Sequence, residues 1–335
     1  MYIGNKLINP NQTPTTIETL GELLESEGYT LYYASSKNNI FLRFLDMVNA
    51  CFKYSKQVNY VLIDTYSTLN FYYALGISIL CRLLKKPYIC ILHGGNLENR
   101  LIKFPFLAKT IFKNAHKLIA PSGFLESIFK KYGYTEVLYV PNTIEIANYP
   151  YKKRENIQAK LLWVRSFSRI YNPKLAIDIL CLLKENYKQA SLCMVGPEKD
   201  GSMQETIAYA EEKNVAVHFT GKLSKKEWTQ LASEYDVFIN TTNVDNMPVS
   251  VVEAMALGLP IVSTHVGGLP FLVADKNEAL LVPPNNPEAM MNAVQSLLES
   301  SELVVKITGN ARQKAELFDW KHVKQQWFKI LEDGA

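Results

Sequence analysis

Asp-Asn-Met-Pro-Val-Ser-Val-Val-Glu-Ala-Met-Ala-Leu-Gly-Leu-Pro occupies residues 245–260, between the short apolar runs 237–239 and 261–263. Two such runs joined by a helical segment predict neighbouring parallel strands of an α/β sheet. Asp245 then follows a strand, and Glu253 lies one turn into the next helix. Ligands bind open parallel sheets at the carboxyl ends of the strands, and a helix N-terminus attracts phosphate. The stretch therefore predicts a site for a phosphorylated ligand.

Glu253 has two interpretations on the residues alone. Its carboxylate could accept hydrogen bonds from two ribose hydroxyls, each worth about 1.5–3 kcal/mol. Ser250 and Glu253 also match the Ser-x-x-Glu capping box, which would explain the glutamate without a ligand. Residues 245–248 could likewise form a simple turn. The spacing by itself leaves both interpretations open.

Short apolar runs alternate with segments of helical periodicity along the whole chain. Six runs in each half predict an α/β protein with two doubly wound, Rossmann-like parallel sheets. The first run is short for the start of a domain, which suggests either a trimmed start or a late start codon. The predicted strands are 2–3, 30–34, 60–63, 88–92, 118–120, 137–140, 161–164, 191–195, 216–219, 237–239, 261–263 and 280–282.

Helix signals and breaks divide the chain. Thr15 and Glu18 form a capping box, which predicts that a helix begins there. Prolines 141 and 150 flank a polar segment and predict a linker. Near-helical spacing of apolar residues predicts a final amphipathic helix with Trp320, Val323, Trp327 and Leu331 on one face. The predicted division is residues 1–143 for the first domain, 144–157 for the linker, 158–318 for the second domain and 319–335 for the final helix.

The composition is that of a globular chain and excludes several functions. Of 335 residues, 48% are hydrophobic and 20% charged, and the net charge of +4 is too small to predict a nucleic-acid partner. Five cysteines lie in apolar runs without a Cys-x-x-Cys pair, which predicts free thiols in a reducing compartment. The sequence has no Gly-x-Gly-x-x-Gly, no Asp-x-Asp and no His/Cys cluster at metal spacing, which argues against a dehydrogenase and against metal chemistry.

Basic residues concentrate between Arg82 and Lys131, where ten lysines and arginines accompany two glutamates. Lys109, Lys113 and Lys117 are four residues apart, which predicts that they share one helix face. This face is either an ordinary solvated surface or a contact with an anionic membrane, where each lysine adds about 1 kcal/mol of binding.

The acid at 245, followed after seven residues by Glu-Ala-Met-Ala-x-Gly-x-Pro and then by Gly267-Gly268-x-Pro270, resembles the family 4 retaining glycosyltransferases. These have the glycosyltransferase-B fold, two Rossmann-like domains facing a cleft. The resemblance covers nearly the whole chain. It implies transfer of a sugar from a nucleotide diphosphate sugar to a glycan or lipid-linked acceptor, in bacterial surface polysaccharide or lipopolysaccharide assembly. It further implies no cofactor and no metal, a UDP-sugar rather than a GDP-sugar, and a cytoplasmic enzyme, peripheral on the inner face of the plasma membrane.

Matched residue by residue, the resemblance implies three catalytic residues. His93 would line the donor sugar pocket, and Asp245 would face the sugar hydroxyls where the family usually has Glu. Arg165 would hold the donor diphosphate, and the second cation would be either Arg169 or Lys174.

The resemblance also implies a larger substrate-binding set. Gly94 and Gly95 would form the floor of the sugar pocket, and Glu253 would bind the ribose. Loops at strand ends of the second domain would contact the rest of the donor through Asn246, Met247, Pro248, Val249, Gly196, Lys222 and Leu223. The first loop, residues 4–15, has only Gly4 where relatives often have paired glycines.

Two other functions are compatible with the same residues. One is a nucleotide-sugar epimerase on this architecture, which would need a donor but no acceptor. The other is a non-catalytic partner subunit of a glycosyltransferase complex. Nucleotide binding separates the subunit from the other two, and sugar transfer separates the epimerase.

Overall fold

The computed structural model describes residues 1–6 and 15–332. The chain divides into two compact units, one formed by Met1–Pro141 with the segment from Val323 onward, and one formed by Asn142–His322. Among the described residues, each unit contains one six-stranded sheet, and every strand pair in both sheets is parallel. The prediction of two doubly wound α/β sheets is confirmed.

The sheet of the first unit has the strand order β2-β1-β3-β4-β5-β6. Its inner strands are buried on both faces, as expected when helices cover a parallel sheet. The strands are β1 Tyr2–Ile3, β2 Tyr33–Ala34, β3 Val61–Tyr66, β4 Tyr88–His93, β5 Lys117–Ala120 and β6 Val137–Tyr139.

The first unit begins with the predicted capping box. The backbone N–H of Thr15 donates to the Glu18 carboxylate at 2.6 Å, and α1 buries Ile17, Leu20 and Leu24. The helices of this unit are α1 Thr16–Ser26, α2 Ile40–Tyr54, α3 Asn70–Leu83, α4 Leu97–Lys103, α5 Pro105–Phe112 and α6 Gly123–Lys131.

The prediction that Lys109, Lys113 and Lys117 share one helix face is wrong. Helix α5 ends at Phe112, and Lys117 begins strand β5. The backbone N–H of His116 already donates to the carbonyl of Tyr88 at 2.8 Å, so sheet pairing ends the helical path. Lys109 is in the last turn of α5, and Lys113 caps its end.

The sheet of the second unit has the strand order β12-β11-β10-β7-β8-β9. Strand β9 lies two residues later than predicted, beside a register shift in β8. The strands are β7 Lys160–Val164, β8 Ser191–Val195, β9 His218–Gly221, β10 Val237–Asn240, β11 Ile261–Thr264 and β12 Leu280–Val282. The helices that follow are α7 Pro173–Asn186, α8 Ser202–Glu212, α9 Lys225–Leu231, α10 Val249–Ala256, α11 Leu269–Leu272, α12 Pro287–Glu299, α13 Ser301–Glu316 and α14 Trp320–Glu332.

The segment predicted as a linker, residues 144–157, is instead packed into the second unit. Ile144 and Tyr149 are buried in its core, and Arg154 is only 4% exposed. The Arg154 guanidinium donates to the backbone carbonyls of Lys152, Ala232, Tyr235, Leu257 and Gly258. Arg154, the last residue of the basic run, therefore fixes this segment to the second unit, because its guanidinium binds carbonyls at the ends of two helical segments.

The last helix joins the first unit from Val323 onward. Trp320, Val323 and Trp327 are buried as predicted, but Ile330 is buried in place of Leu331, which is half-buried. Lys324 forms an ion pair of 2.9 Å with Glu27. None of the described helices is long and apolar enough to cross a bilayer.

The five cysteines are free, and all except the half-buried Cys181 are buried. This confirms the prediction of unpaired thiols. Within residues 1–6 and 15–332, no three or more His, Cys, Asp or Glu side chains are grouped so that they could hold a metal ion.

Candidate functional site

The loops after β7 and β10 meet at the point where the strand order of the second sheet reverses. These two strands are neighbours although two further strands separate them along the chain. Arg165 directly follows β7, Asp245 lies in the loop after β10, and their side chains form an ion pair. Only 14% of the Arg165 side chain and 10% of the Asp245 side chain are exposed. Ligands of open α/β sheets bind at such a reversal, so the sheet places both residues where a ligand is expected.

Arg165 is held flat against Tyr171. The guanidinium carbon lies 4.1 Å from the centre of the tyrosine ring. The Thr241 hydroxyl donates to the Tyr171 carbonyl at 2.8 Å and accepts a hydrogen bond of 2.9 Å from the indole of Trp163. The buried Nε of Arg165 has no hydrogen-bond partner within the part of the chain that the structure describes. One face and one edge of the cation are thus fixed by protein, and the buried Nε–H has no partner among the described residues.

Three glycines allow the loops at this edge to approach one another. A Cβ at Gly196 would overlap the carbonyl of Arg165. A Cβ at Gly267 would overlap the carbonyl of Asp245, and one at Gly268 that of Asn246. The N–H of Gly268 donates to the Asp245 carbonyl at 3.0 Å. The two residues of the ion pair therefore depend on close backbone contacts that only glycine permits.

The capping-box interpretation of Glu253 is wrong. Helix α10 begins at Val249 with Pro248 as its N-cap, so Ser250 already lies inside the first turn. The Ser250 hydroxyl is buried with no partner among residues 1–6 and 15–332. Glu253 is 5% exposed, and its Oε1 accepts a hydrogen bond of 2.6 Å from the hydroxyl of Tyr149. The glutamate is therefore held by a residue far away in sequence, and the helix end does not explain it.

Within the described structure, the polar contacts of the Glu253 carboxylate are all made by one oxygen, Oε1. Besides Tyr149, Oε1 lies 3.2 Å from the ammonium of Lys225, the first residue of α9. Burial, and then the Glu253 charge, raise the pKa of Tyr149 far above its usual range, so its hydroxyl stays a donor. Oε2 has no partner among the described residues and remains free to accept hydrogen bonds.

Arg169 and Lys174, the alternatives for a second cation, both contact Glu205 on α8. The distances from their nitrogens to the carboxylate are 2.7 and 3.5 Å. The Glu205 hydrogen bond and charge raise the pKa of Arg169, and Arg169 lowers the pKa of Glu205. Both cations are exposed, so the structure leaves the choice between them open.

The remaining predicted residues of the second unit lie at the same sheet edge. Met247 and Pro248 are buried immediately before α10, Val249 is its first residue, and the Asn246 N–H donates to the Asp245 carboxylate at 2.9 Å. Lys222, which is exposed, and Leu223, which is half-buried, follow the edge strand β9.

His93 belongs to the first unit, at the end of β4, and it is held by a buried carboxylate. Its Nε2 lies 2.8 Å from Oδ1 of Asp64, and its ring stacks on Tyr66 with 4.7 Å between the ring centres. The Tyr2 hydroxyl donates to the same carboxylate oxygen at 3.0 Å. Asp64 is fully buried, and its Oδ2 lacks a partner among the residues the structure describes. This arrangement orients the imidazole, with Nε2 bound to Asp64 and Nδ1 without a hydrogen-bond partner in the described part of the chain.

The structure describes both glycines after His93 but only the ends of the first loop. Gly94 has a φ of +81°, which favours glycine, and Gly95 is half-buried next to it. In the first loop, Gly4 packs so closely against Asp64 that a Cβ would lie 2.5 Å from Oδ2. The rest of that loop, residues 7–14, falls outside the described residues.

Residues 150–314 match the model of a family described as glycosyl transferases group 1. This segment, which is similar to group 1 glycosyltransferases, is called the group 1 domain below. It contains Arg165, Asp245 and Glu253, whereas His93 lies outside it. Tyr149, the donor to Glu253, immediately precedes the matched segment.

Curated relatives match different shares of this chain, from 44% to 75% for the first three. The sulfoquinovosyl transferase SQD2 of Arabidopsis thaliana is 28% identical over 149 residues, which cover 44% of this chain and 28% of that protein. The chain thus spans less than half the length of the first curated relatives that it matches.

Solved structures match both units. Sucrose-phosphate synthase from Thermosynechococcus elongatus aligns with a TM-score of 0.76 at 17% identity, covering 95% of this chain and 92% of that one. HepE from Anabaena in complex with UDP aligns with a TM-score of 0.75 at 18% identity, covering 94% and 89%, and HepE has also been solved with UDP-glucose. At these identities the likeness shows the fold, which is the glycosyltransferase-B fold.

Sequence patterns do not identify the residues that hold the candidate site residues in place. In the group 1 domain, Tyr171 stacks on Arg165 and Lys225 pairs with Glu253. Nothing in their local sequence marks either residue. Asp64, in the first unit, did have a signal, because it is a lone carboxylate inside the strand Val-Leu-Ile-Asp-Thr-Tyr. A buried carboxylate in a strand needs partners, and this one finds Tyr2 and His93.

Proposed function

We propose that this chain is a retaining glycosyltransferase of family 4 that takes a sugar from a nucleotide diphosphate sugar. The observation that carries the proposal is the Arg165–Asp245 ion pair at the strand-order reversal of the group 1 domain. A buried cation, a helix N-terminus and a buried carboxylate with one free oxygen there fit a diphosphate and a ribose. The HepE structures solved with UDP and UDP-glucose support a UDP-sugar as the donor.

The donor would be held by three groups of the second unit. The diphosphate would displace Asp245 from the Arg165 guanidinium, with which Asp245 pairs in the structure. The N–H groups at the start of α10 would bind phosphate oxygens, because helix N-termini carry positive potential. The ribose hydroxyls would donate to Oε2 of Glu253, since Oε1 is already occupied by Tyr149 and Lys225.

Chemistry then follows from charge movement at the bond between sugar and diphosphate. As this bond lengthens, negative charge moves onto the diphosphate, and Arg165 and the α10 N-terminus stabilise it. Asp245, released from Arg165, would face the hydroxyls of a sugar that becomes oxocarbenium-like. The acceptor hydroxyl attacks from the leaving-group side, which retains the configuration. His93 and the first unit would serve the sugar and the acceptor, and the reaction needs no metal ion.

The acceptor is proposed to be a glycan or a lipid-linked glycan of bacterial surface polysaccharide or lipopolysaccharide assembly. Peripheral contact with an anionic membrane through residues 82–131 would bring the enzyme to such an acceptor. The exposed Phe106 and Ile102, which lie among exposed Lys103 and Lys109, support this contact. Basic residues attract anionic lipid headgroups, and large apolar side chains insert between them.

Thermal unfolding with uridine, guanosine, adenosine and thymidine diphosphates, with and without a chelator, tests the donor site. Wild type and Glu253→Gln are run together. A nucleotide at 100 times its dissociation constant adds about 2.7 kcal/mol of stability. We expect UDP to raise the unfolding temperature of wild type, equally with chelator, and to raise it much less in Glu253→Gln.

Two results would contradict the proposal. If no nucleotide raises the unfolding temperature, a non-catalytic subunit explains the chain better. If UDP binds but a UDP-sugar is converted to its epimer without any acceptor, the chain is an epimerase. Glu253→Gln separates ligand binding from helix capping cleanly, because Glu253 plays no part in the cap of α10.

A further inference from the structure

A pocket of about 530 Å³ opens in the first unit between the N-terminal ends of α2 and α3. Helix α2 follows strand β2 and α3 follows strand β3, so both helix starts lie at the carboxyl edge of the sheet. This is the edge at which open parallel sheets bind ligands. The volume falls in the range of small-molecule sites, about 300–1,000 Å³.

Most of the pocket wall is apolar and uncovered. Ile40 and Phe41, the first two residues of α2, are 56% and 69% exposed, and Leu69 just before α3 is 63% exposed. Tyr72 and Phe44 line the pocket beside them. Large apolar side chains grouped around a concave surface are typical of a binding site for an apolar ligand.

The charged residue of the wall is Arg43, which lines the pocket with the polar Asn39 and Asn70. It is 7% exposed, and no described carboxylate pairs with it. Its guanidinium donates to the carbonyls of Lys37 and Asn38, both at 2.8 Å, and to the Asn5 side chain at 2.6 Å. A guanidinium has five N–H groups, so two have no partner among the residues that the structure describes. A buried cation held only by neutral oxygens favours an anionic ligand.

We propose that this pocket binds the phosphate ester of a long apolar alcohol. The apolar chain lies against Ile40, Phe41 and Leu69, and the phosphate accepts the two unused N–H groups of Arg43. In the proposed function, this ligand would be the lipid anchor of the sugar acceptor, and that role rests on the proposed function. Binding itself is a property of the first unit and can be measured without sugar transfer.

Isothermal titration of the full chain with farnesyl phosphate, farnesol and inorganic phosphate tests the pocket. We expect farnesyl phosphate to bind at least tenfold more tightly than either part alone, because the site recognises both ends. Inorganic phosphate binding as tightly as farnesyl phosphate would reveal a free-anion site and overturn the proposal. Farnesol binding as tightly would overturn the role of Arg43.

Variants locate the binding. Phe41→Ser with Leu69→Ser should weaken farnesyl phosphate binding at least tenfold, and both positions are exposed enough to leave the fold intact. Leu83→Ser is the matched control, because Leu83 is 75% exposed at the other end of α3 and does not line the pocket. Arg43→Lys, which keeps the charge but loses the planar fork, should weaken farnesyl phosphate more than farnesol. An equal loss in Leu83→Ser would mean adsorption to the surface and overturn the assignment.

UDP titration of the same samples separates this proposal from the function. If UDP binds and farnesyl phosphate does not, the pocket assignment is wrong and the donor site stands. If farnesyl phosphate binds as expected and UDP does not, the pocket stands and the glycosyltransferase proposal is wrong.

Discussion

The hydroxyl of Tyr149 donates a hydrogen bond of 2.6 Å to Oε1 of Glu253, which lies 104 residues further along the chain. Both side chains are buried, and the backbone carbonyl of Tyr149 is itself fixed by Arg312 at 2.8 Å. Arg312 also binds the carbonyl of Ala256 at the end of α10. The segment that carries Tyr149 and the helix that carries Glu253 are thus joined twice, which fixes the orientation of the carboxylate.

Tyr149→Phe should weaken UDP binding about tenfold. The change removes only the hydroxyl that orients Glu253, and a hydrogen bond to a charged group is worth about 1.5–3 kcal/mol. Calorimetry should show no change for 2′,3′-dideoxy-UDP, which lacks the ribose hydroxyls. Tyr151→Phe is the control, because the Tyr151 hydroxyl makes no hydrogen bond among the described residues. This variant should bind both nucleotides as wild type does. Equal weakening of both nucleotides by Tyr149→Phe would mean general damage to the fold.

Asp245→Asn should strengthen UDP binding severalfold while sugar transfer falls at least tenfold. The carboxylate competes with the diphosphate for Arg165, so removing its charge frees the cation. Without ligand the variant should unfold at a lower temperature, because Arg165 is then a largely buried charge without a partner. Titration calorimetry, initial rates and thermal unfolding measure the three effects. Weaker UDP binding would show that Asp245 supports the donor and does not compete with it.

Arg154→Met should destabilise the protein by more than about 3 kcal/mol, because it leaves several buried carbonyls without donors. The neighbouring Lys153→Met is the matched control, since Lys153 is exposed and its ion pair is with the exposed Glu155. Urea unfolding followed by circular dichroism measures both. Similar midpoints for the two variants would show that water replaces the guanidinium, and that Arg154 does not anchor this segment.

Asp64→Asn should lower kcat for sugar transfer at least tenfold and leave the UDP dissociation constant unchanged. The amide cannot hold the His93 ring as the carboxylate does, and the proposed UDP contacts all lie in the second unit. Steady-state kinetics and calorimetry on the same sample separate the two effects. A wild-type kcat in Asp64→Asn would show that sugar transfer does not need Asp64 to orient His93.

Flotation with anionic liposomes should bring wild type to the lipid fraction, and rising salt should release it, because the attraction of lysines is screened. Phe106→Ser with Lys109→Glu should reduce the bound fraction severalfold. Leu317→Ser, at an exposed position of the second unit, should float as wild type does. Flotation that neither salt nor the double variant affects would exclude this surface as the contact.

The sequence predicted the strands well because a buried parallel strand is a local pattern. Each of the twelve apolar runs overlaps a strand, although several strands, among them β2, β3 and β9, differ from the predictions in their ends. The prediction for Lys117 failed because a four-residue spacing does not reveal where sheet pairing ends a helix. Prolines and polar residues predicted a linker at residues 144–157, but they do not reveal that Arg154 binds five backbone carbonyls of the second unit.

The capping box at Glu253 failed for a related reason. Ser-x-x-Glu identifies a helix start only if the serine lies outside the helix, and here the helix already begins at Val249. The same four-residue pattern at Thr15 does begin a helix. The two cases differ in the path of the preceding chain, which the pattern does not contain.

The sequence by itself determined the α/β class, two sheets and the segments that carry Arg165, Asp245, Glu253 and His93, because strand periodicity and turn residues are local properties. Only the tertiary structure decided which side chains meet. Arg165 and Asp245 are 80 residues apart and pair because β10 returns beside β7. Strand order results from long-range packing of whole elements, so no short segment contains it. The partners of Glu253, His93 and Arg43 could therefore be found only once the chain was folded.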